Sequence, residues 1–207
     1  MYHNPNAMPE AFKEWKTQRT GFLSSFPFGS FAYARLDDRL ASTPEWRDAD
    51  CLEGRDPMGL TPKQPNVEFW NTEAYGGPSH LYKNYPVDHK HAFTMVPCLF
   101  SQRSRGTVTL KSSNPLENPV VDHKYLEDPL DLVVLSEACR FANEIVMQGA
   151  GTKGLVQGSW PPNMTHHTYT KREDWEPYVR DNAQTCMFLS TLCRNSSRDS
   201  VLTLYTV

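Results

Sequence analysis

The sequence has no basic block, no long apolar run and no closely spaced cysteine pair. Net charge is −3, and the densest positive stretch, Arg103 to Lys111, carries three cations over nine residues. Binding nucleic acid without sequence preference needs a cluster of lysine and arginine to neutralise phosphates, so no nucleic-acid partner is expected. A run of about 18 apolar residues is also missing, and with it a membrane-spanning helix. The start, MYHNPNAMPEAFKEW, lacks a charged segment followed by an apolar one, so no signal peptide is predicted. Cys51, Cys98, Cys139, Cys186 and Cys193 stand far apart. Their odd number and the absence of CxxC argue against a disulfide framework or a zinc site, and buried free thiols are the expectation. Neither GxGxxG nor GxxxxGK[ST] occurs, which removes a phosphate-cradling loop, and GxSxG is absent too.

What is present is a polar, proline-rich globular composition, with 39% hydrophobic residues, 16 prolines and 5 tryptophans among 207 residues. Residues 6–17 predict a short helix with Asn6 as cap and Met8, Ala11, Phe12 and Trp15 on one face. From Gly21 to about residue 90 the chain reads as mostly loop, rich in Pro, Gly, Asn and Asp, and a loop that long points to function or interface. Phe93 to Phe100 reads as a strand, limited to an edge or bulge by Pro97. TVTLKS (107–112) alternates cleanly, and with 119–123 it predicts antiparallel neighbours joined by a Pro-bounded loop.

The strongest element is a helix over 129–148, with Asp128 as N-cap, Pro129 at the first helical position and Gly149 as the stop. Asp131 favours the positive end of its dipole. Two neighbouring apolar stripes form a face suited to a sheet, with Glu137, Arg140, Asn143 and Glu144 opposite. A last helix is expected from a capping box at Thr170 and Glu173, kinked by Pro177 or restarting near Asp174.

Few residues suggest chemistry. His89 and His91 would share a face on a strand, but no third ligand follows from spacing, so metal binding is not expected. His166-His167, on a loop before the last helix, could act as acid or base near neutral pH, yet solvated or hydrogen-bonded loop histidines are the commoner case. From residues alone the sequence describes an α+β module with long loops and no self-contained catalytic set.

One stretch carries more. SRGTVTLKSSNPLENPVVDHKYLEDPLDLVVLSEACRFANEIV, residues 104–146, resembles the substrate domain of the glucose–methanol–choline (GMC) oxidoreductases. Ser104-Arg105-Gly106, Val108 and Leu110, Pro115 and Pro119, Tyr125-Leu126, and Pro129 with Asp131 fall in that family's order. EWKTQRTGFLSSFPF (14–28) resembles the entry into the same domain, and the chain looks most similar to fungal aryl-alcohol-oxidase-like members. The resemblance implies an antiparallel sheet of about six strands with helices packed on one side and long loops. It also implies FAD as cofactor, alcohols as substrates and hydride transfer from a CH–OH carbon to flavin. It covers residues 1–186, with 187–207 read as a tail that does not match.

Two parts of the family pattern are not found in these residues: a glycine-rich dinucleotide-binding region, and a proton-accepting histidine shortly after a segment like Tyr178–Thr185. Phe188 falls about where that histidine belongs. No catalytic, cofactor-binding or metal residue is therefore carried over. The isolated chain is expected to be inactive and to hold no FAD, and to be open to self-association through the surface that would face an FAD-binding domain. The alternative is a non-enzymatic module that binds a small molecule or a protein.

Overall fold

The computed structural model describes residues 6–24, 28–72, 92–160, 164–185 and 205–206. The longest helix begins where the sequence puts it. α4 spans Pro129–Gln148, and the Asp128 side chain accepts a hydrogen bond from the Leu130 amide at 3.0 Å. Its apolar stripes, including Leu132, Leu135, Ala138 and Ala142, are buried against a sheet. β1 (Phe28–Ala34), β2 (Val67–Thr72) and β3 (Thr94–Leu99) run antiparallel to their neighbours. β6 (Gln184–Thr185) and β7 (Tyr205–Thr206) complete a five-stranded sheet among the described residues, ordered β1-β2-β3-β7-β6. Val67, Phe69 and Leu99 point into the core, where α4 meets α2 (Asp37–Leu40), α3 (Pro44–Arg47) and α5 (Arg172–Asn182) through Leu40, Trp46, Trp175 and Val179. The fold is thus α+β, with helices on one face of an antiparallel sheet. No helix among the described residues is long and apolar enough to cross a membrane.

The loop expected up to residue 90 is corrected by β1 and β2. Both escape period-two reading for a physical reason. β1 is an edge strand whose described residues are exposed or half-buried, so burial imposes no alternation on it. In β2 three consecutive residues, Val67, Glu68 and Phe69, are buried, so burial does not alternate along a strand that is paired on both sides. The intervening loop is organised by Arg35. Its guanidinium donates to Asp37, to Asp56 at 2.7 Å, and to the carbonyls of Thr61 and Gln64, so all its N–H donors are engaged. A cleft of about 400 Å³ lies beside it, lined in part by Trp46, Arg55 and Pro57.

Other expectations shift in detail. α1 runs Ala7–Gln18, and Asn6 makes no side-chain cap bond. Arg19 ends α1 in the left-handed region (φ 58°), its guanidinium 4.7 Å from the Trp15 ring. Gly149 is not left-handed (φ −60°); it is required because a Cβ there would stand 2.4 Å from the Ile145 carbonyl oxygen. The capping box of α5 is one residue later than expected: Asp174, not Glu173, accepts from the Lys171 amide at 3.1 Å. α5 is continuous through Pro177 rather than restarting near Asp174. At Pro97 the described ladder partner is Phe69 of β2, and pairing to β7 begins only at Cys98.

The supposed polar face of α4 is also corrected. Glu137 is buried, held by Arg39 at 2.7 Å and by Arg140 at 2.5 Å. Arg39 reaches Glu144 as well and lies 4.4 Å from the Phe141 ring centroid. Asn143 donates to the carbonyls of His167 and Tyr169, both at 3.2 Å. These polar groups tie α4 to α2 and to the segment before α5.

Candidate substrate-facing site

Alternation along the sheet defines two faces. Val67, Phe69 and Leu99 take the core face, so Glu68, Trp70, Val96 and Cys98 take the other. Val96 and Cys98 are buried yet stand outside the core cluster. The register sets Phe31 opposite Trp70 and Tyr33 opposite Glu68. The Glu68 carboxylate opposite, as a hydrogen-bond acceptor and then as a charge, raises the Tyr33 pKa above the ordinary phenol value. The Tyr33 ring also stacks on Phe100, centroids 5.7 Å apart and planes 17° apart. The Trp70 indole donates to the Cys98 sulfur at 3.1 Å. This outer face offers aromatic surface in which Glu68 and Tyr33 stand opposite one another.

A second construction fixes the loop that leaves the sheet. The Asp131 carboxylate accepts from the backbone amides of Arg103 at 2.7 Å and Ser104 at 2.8 Å. Ser104 in turn accepts from the Asp128 amide at 3.0 Å, and Arg103 donates to the Asp128 carboxylate at 2.9 Å. Asp131 is fully buried, and burial raises its carboxyl above the usual range against the pull of the Ser104 hydroxyl and the two amides. It acts as a clamp on the Ser104-Arg105-Gly106 turn as well as a helix-dipole charge. Beyond the turn, β4 (Thr107–Thr109) and β5 (Val120–Asp122) form the expected antiparallel ribbon, with Val108 opposite Val121.

The residues considered for chemistry do not converge. His89 and His91 lie outside the described residues, as do Cys186, Cys193 and Phe188. His166 sits in a short 3-10 turn (His166–Thr168) against α5, its ring 5.8 Å from Trp175 and 5.3 Å from Tyr178. Burial, with a smaller push from His167, lowers its pKa to about 4. His167 pairs its Nδ1 with Ser159 Oγ at 2.7 Å. Cys98 and Cys139 are buried free thiols, but Cys51 is exposed, a correction to the expectation for that residue. Among the described residues no group of three or more His, Cys, Asp or Glu could hold a metal ion.

The described residues do not fit the pyrophosphate of a dinucleotide. Such a group is held at a helix N-terminus that follows a parallel βα turn. Every described strand pairing is antiparallel. The first turns of α1, α4 and α5 carry Glu10, Asp131, and Glu173 with Asp174, which repel phosphate.

Solved structures share this fold. A formate oxidase from Aspergillus oryzae, described for the modification of its FAD, superposes with a TM-score of 0.68 at 23% identity, over 87% of this chain and 30% of that one. Residues 102–202 match the family model described as GMC oxidoreductase. The chain belongs to the GMC oxidoreductase family, whose members are FAD-dependent. Versicolorin B synthase from Emericella nidulans is 30% identical over 139 residues, 67% of this chain and 20% of that protein. Choline oxidase from Arthrobacter globiformis is 29% identical over 135 residues, 62% of this chain and 23% of that protein. The chain spans about a fifth of the length of the versicolorin B synthases it matches.

Proposed function

We propose that these residues are the substrate-domain portion of an FAD-dependent oxidoreductase that acts on CH–OH donors, the hydride passing to a flavin held elsewhere. The isolated chain is then a substrate wall without activity of its own. The observation that carries this reading is the outer sheet face, where Phe31 and Tyr33 stay exposed beside Glu68 and Trp70. An aromatic face with few polar groups is what selects an alcohol and keeps water from it. Residues 1–186 make up the domain segment in this reading, and the family match and the sheet continue past them, to residue 202 and through β7. In sequence, Phe188 follows Thr185 by three residues, where the resemblance calls for a proton acceptor.

The purified chain is expected to be colourless, to leave FAD fluorescence unquenched on titration, and not to oxidise benzyl-type alcohols. A yellow preparation with turnover would overturn the reading. Self-association through the outer face belongs to the same reading, and a concentration-independent monomer on gel filtration would remove that part alone.

A further inference from the structure

The second histidine of the His166-His167 pair gains a partner in the structure. Ser159 Oγ lies 2.7 Å from His167 Nδ1, and the His167 backbone amide donates to the same oxygen at 2.8 Å. Going beyond the oxidoreductase reading, we infer that Ser159 is a nucleophile primed by His167 and a site of covalent acylation by small activated esters and thioesters. A serine hydroxyl is a weak nucleophile until a neighbouring base can take its proton, and about 2.6–3.2 Å between the heavy atoms is the reach that this transfer needs. The amide fills one lone pair of Oγ. The arrangement that also spends the serine proton has Nδ1 as acceptor and the ring proton on Nε2. A donor aimed at Oγ steadies the charge left there as the proton departs, so the amide and the imidazole act in the same direction.

His167 is tied to rigid structure, and both residues remain open to a reagent. Asn143 of α4 donates to the carbonyls of His167 and Tyr169, each at 3.2 Å, so the backbone that carries the imidazole is anchored to the longest helix. Ser159 and His167 are half-buried rather than enclosed. Gly158 leaves space beside the ring: a Cβ there would have its nearest neighbour, His167 Cε1, at 4.0 Å. His166 is neutral above its pKa of about 4, so it adds no positive charge against the imidazolium that forms. In the step itself Oγ bonds to the acyl carbon and its proton passes to Nδ1. The alkoxide or thiolate leaves with the electron pair of the broken bond, and the imidazolium returns its proton to solvent. Ser159 is left as an O-acyl ester, with no redox change and no cofactor.

The test treats the full 207-residue chain with p-nitrophenyl acetate, follows release of p-nitrophenolate and maps the acetyl groups by peptide mass spectrometry. A single fast equivalent at Ser159 is expected, ahead of acetylation at exposed lysines. Ser159→Ala should remove the fast phase, and His167→Gln should slow acetylation of Ser159 by about 100-fold, the usual worth of a general base; thermal melting reports whether each variant is folded. Ser159→Cys gives a second readout with an internal standard, since the new thiol should be alkylated by iodoacetamide ahead of the exposed Cys51. Acetyl groups on lysines with Ser159 unmodified would show the Ser159–His167 bond to be a tie between loops and nothing more. Acetylation of Ser159 at an unchanged rate in folded His167→Gln, or a new thiol no faster than Cys51, overturns the inference equally.

Discussion

The β4–β5 ribbon and helix α4 are neighbours in sequence and opposites in environment. Between Leu130 and Cys139 every residue of α4 is buried, Asp131, Ser136 and Glu137 included. Every residue from Thr107 to Asp122 is exposed, with Leu110 86% and Leu116 90% accessible. Both carry clear periodic patterns, yet only one is covered. A pattern states which side of an element is apolar; it does not state that a partner lies within the same set of residues.

That contrast can be broken at α4 first. Leu135→Ala should cost about 3 kcal/mol or more, because the site is fully enclosed and cannot collapse; urea unfolding monitored by circular dichroism measures it. Asp131→Ala follows at roughly 2–3 kcal/mol, since two amides lose their acceptor in a buried setting. An Asp131→Ala chain as stable as the wild type would show the clamp to be dispensable.

His166 gives a pH signature of intermediate size. Its folded pKa of about 4 lies below the ordinary 6.5, so the native state prefers the neutral ring. Stability is complete above about pH 6.5 and falls as pH drops toward 4, by roughly 2–3 kcal/mol across the window. His166→Phe should flatten that slope between pH 6.5 and 4, and an unchanged slope would place the titration elsewhere. The smallest effect belongs to the ribbon. Leu116→Ser should alter unfolding free energy by less than about 0.5 kcal/mol, as for other exposed positions. A larger loss in dilute solution would mean that the ribbon is covered by something, including a second copy of the chain.

These two regions also show what the sequence could disclose. α4 was legible to the residue because an Asp-Pro start, unbroken apolar stripes and a following glycine agree. The ribbon was legible because TVT and VVD flank a proline-bounded turn. Legibility failed where pairing, rather than composition, decides. β1 carries a glycine, a serine and a register shift between Phe28 and Phe31, and becomes a strand through its bonds to β2. The clamp left a readable trace: in DPLDLVVL, Asp131 is hemmed in by Leu130, Leu132, Val133 and Val134, so an exposed position for it was implausible. The Tyr33–Glu68 pair left none, since its partners are 35 residues apart and meet only through strand register.

The clamp at Ser104, Asp128 and Asp131 has a bearing on how the domain tolerates change. It closes the base of the ribbon, since the Ser104 hydroxyl meets the Asp128 amide at 3.0 Å and the intervening residues return to their starting point. Tyr125 and Leu126 pack against the core, but the exposed stretch from Thr107 to Asp122 lies outside it and can be lengthened or replaced at the small entropic cost of a longer loop. The ribbon is thereby a natural insertion port, a place where a label, a tag or a foreign peptide could be grafted while the helix and sheet beneath go on folding as before.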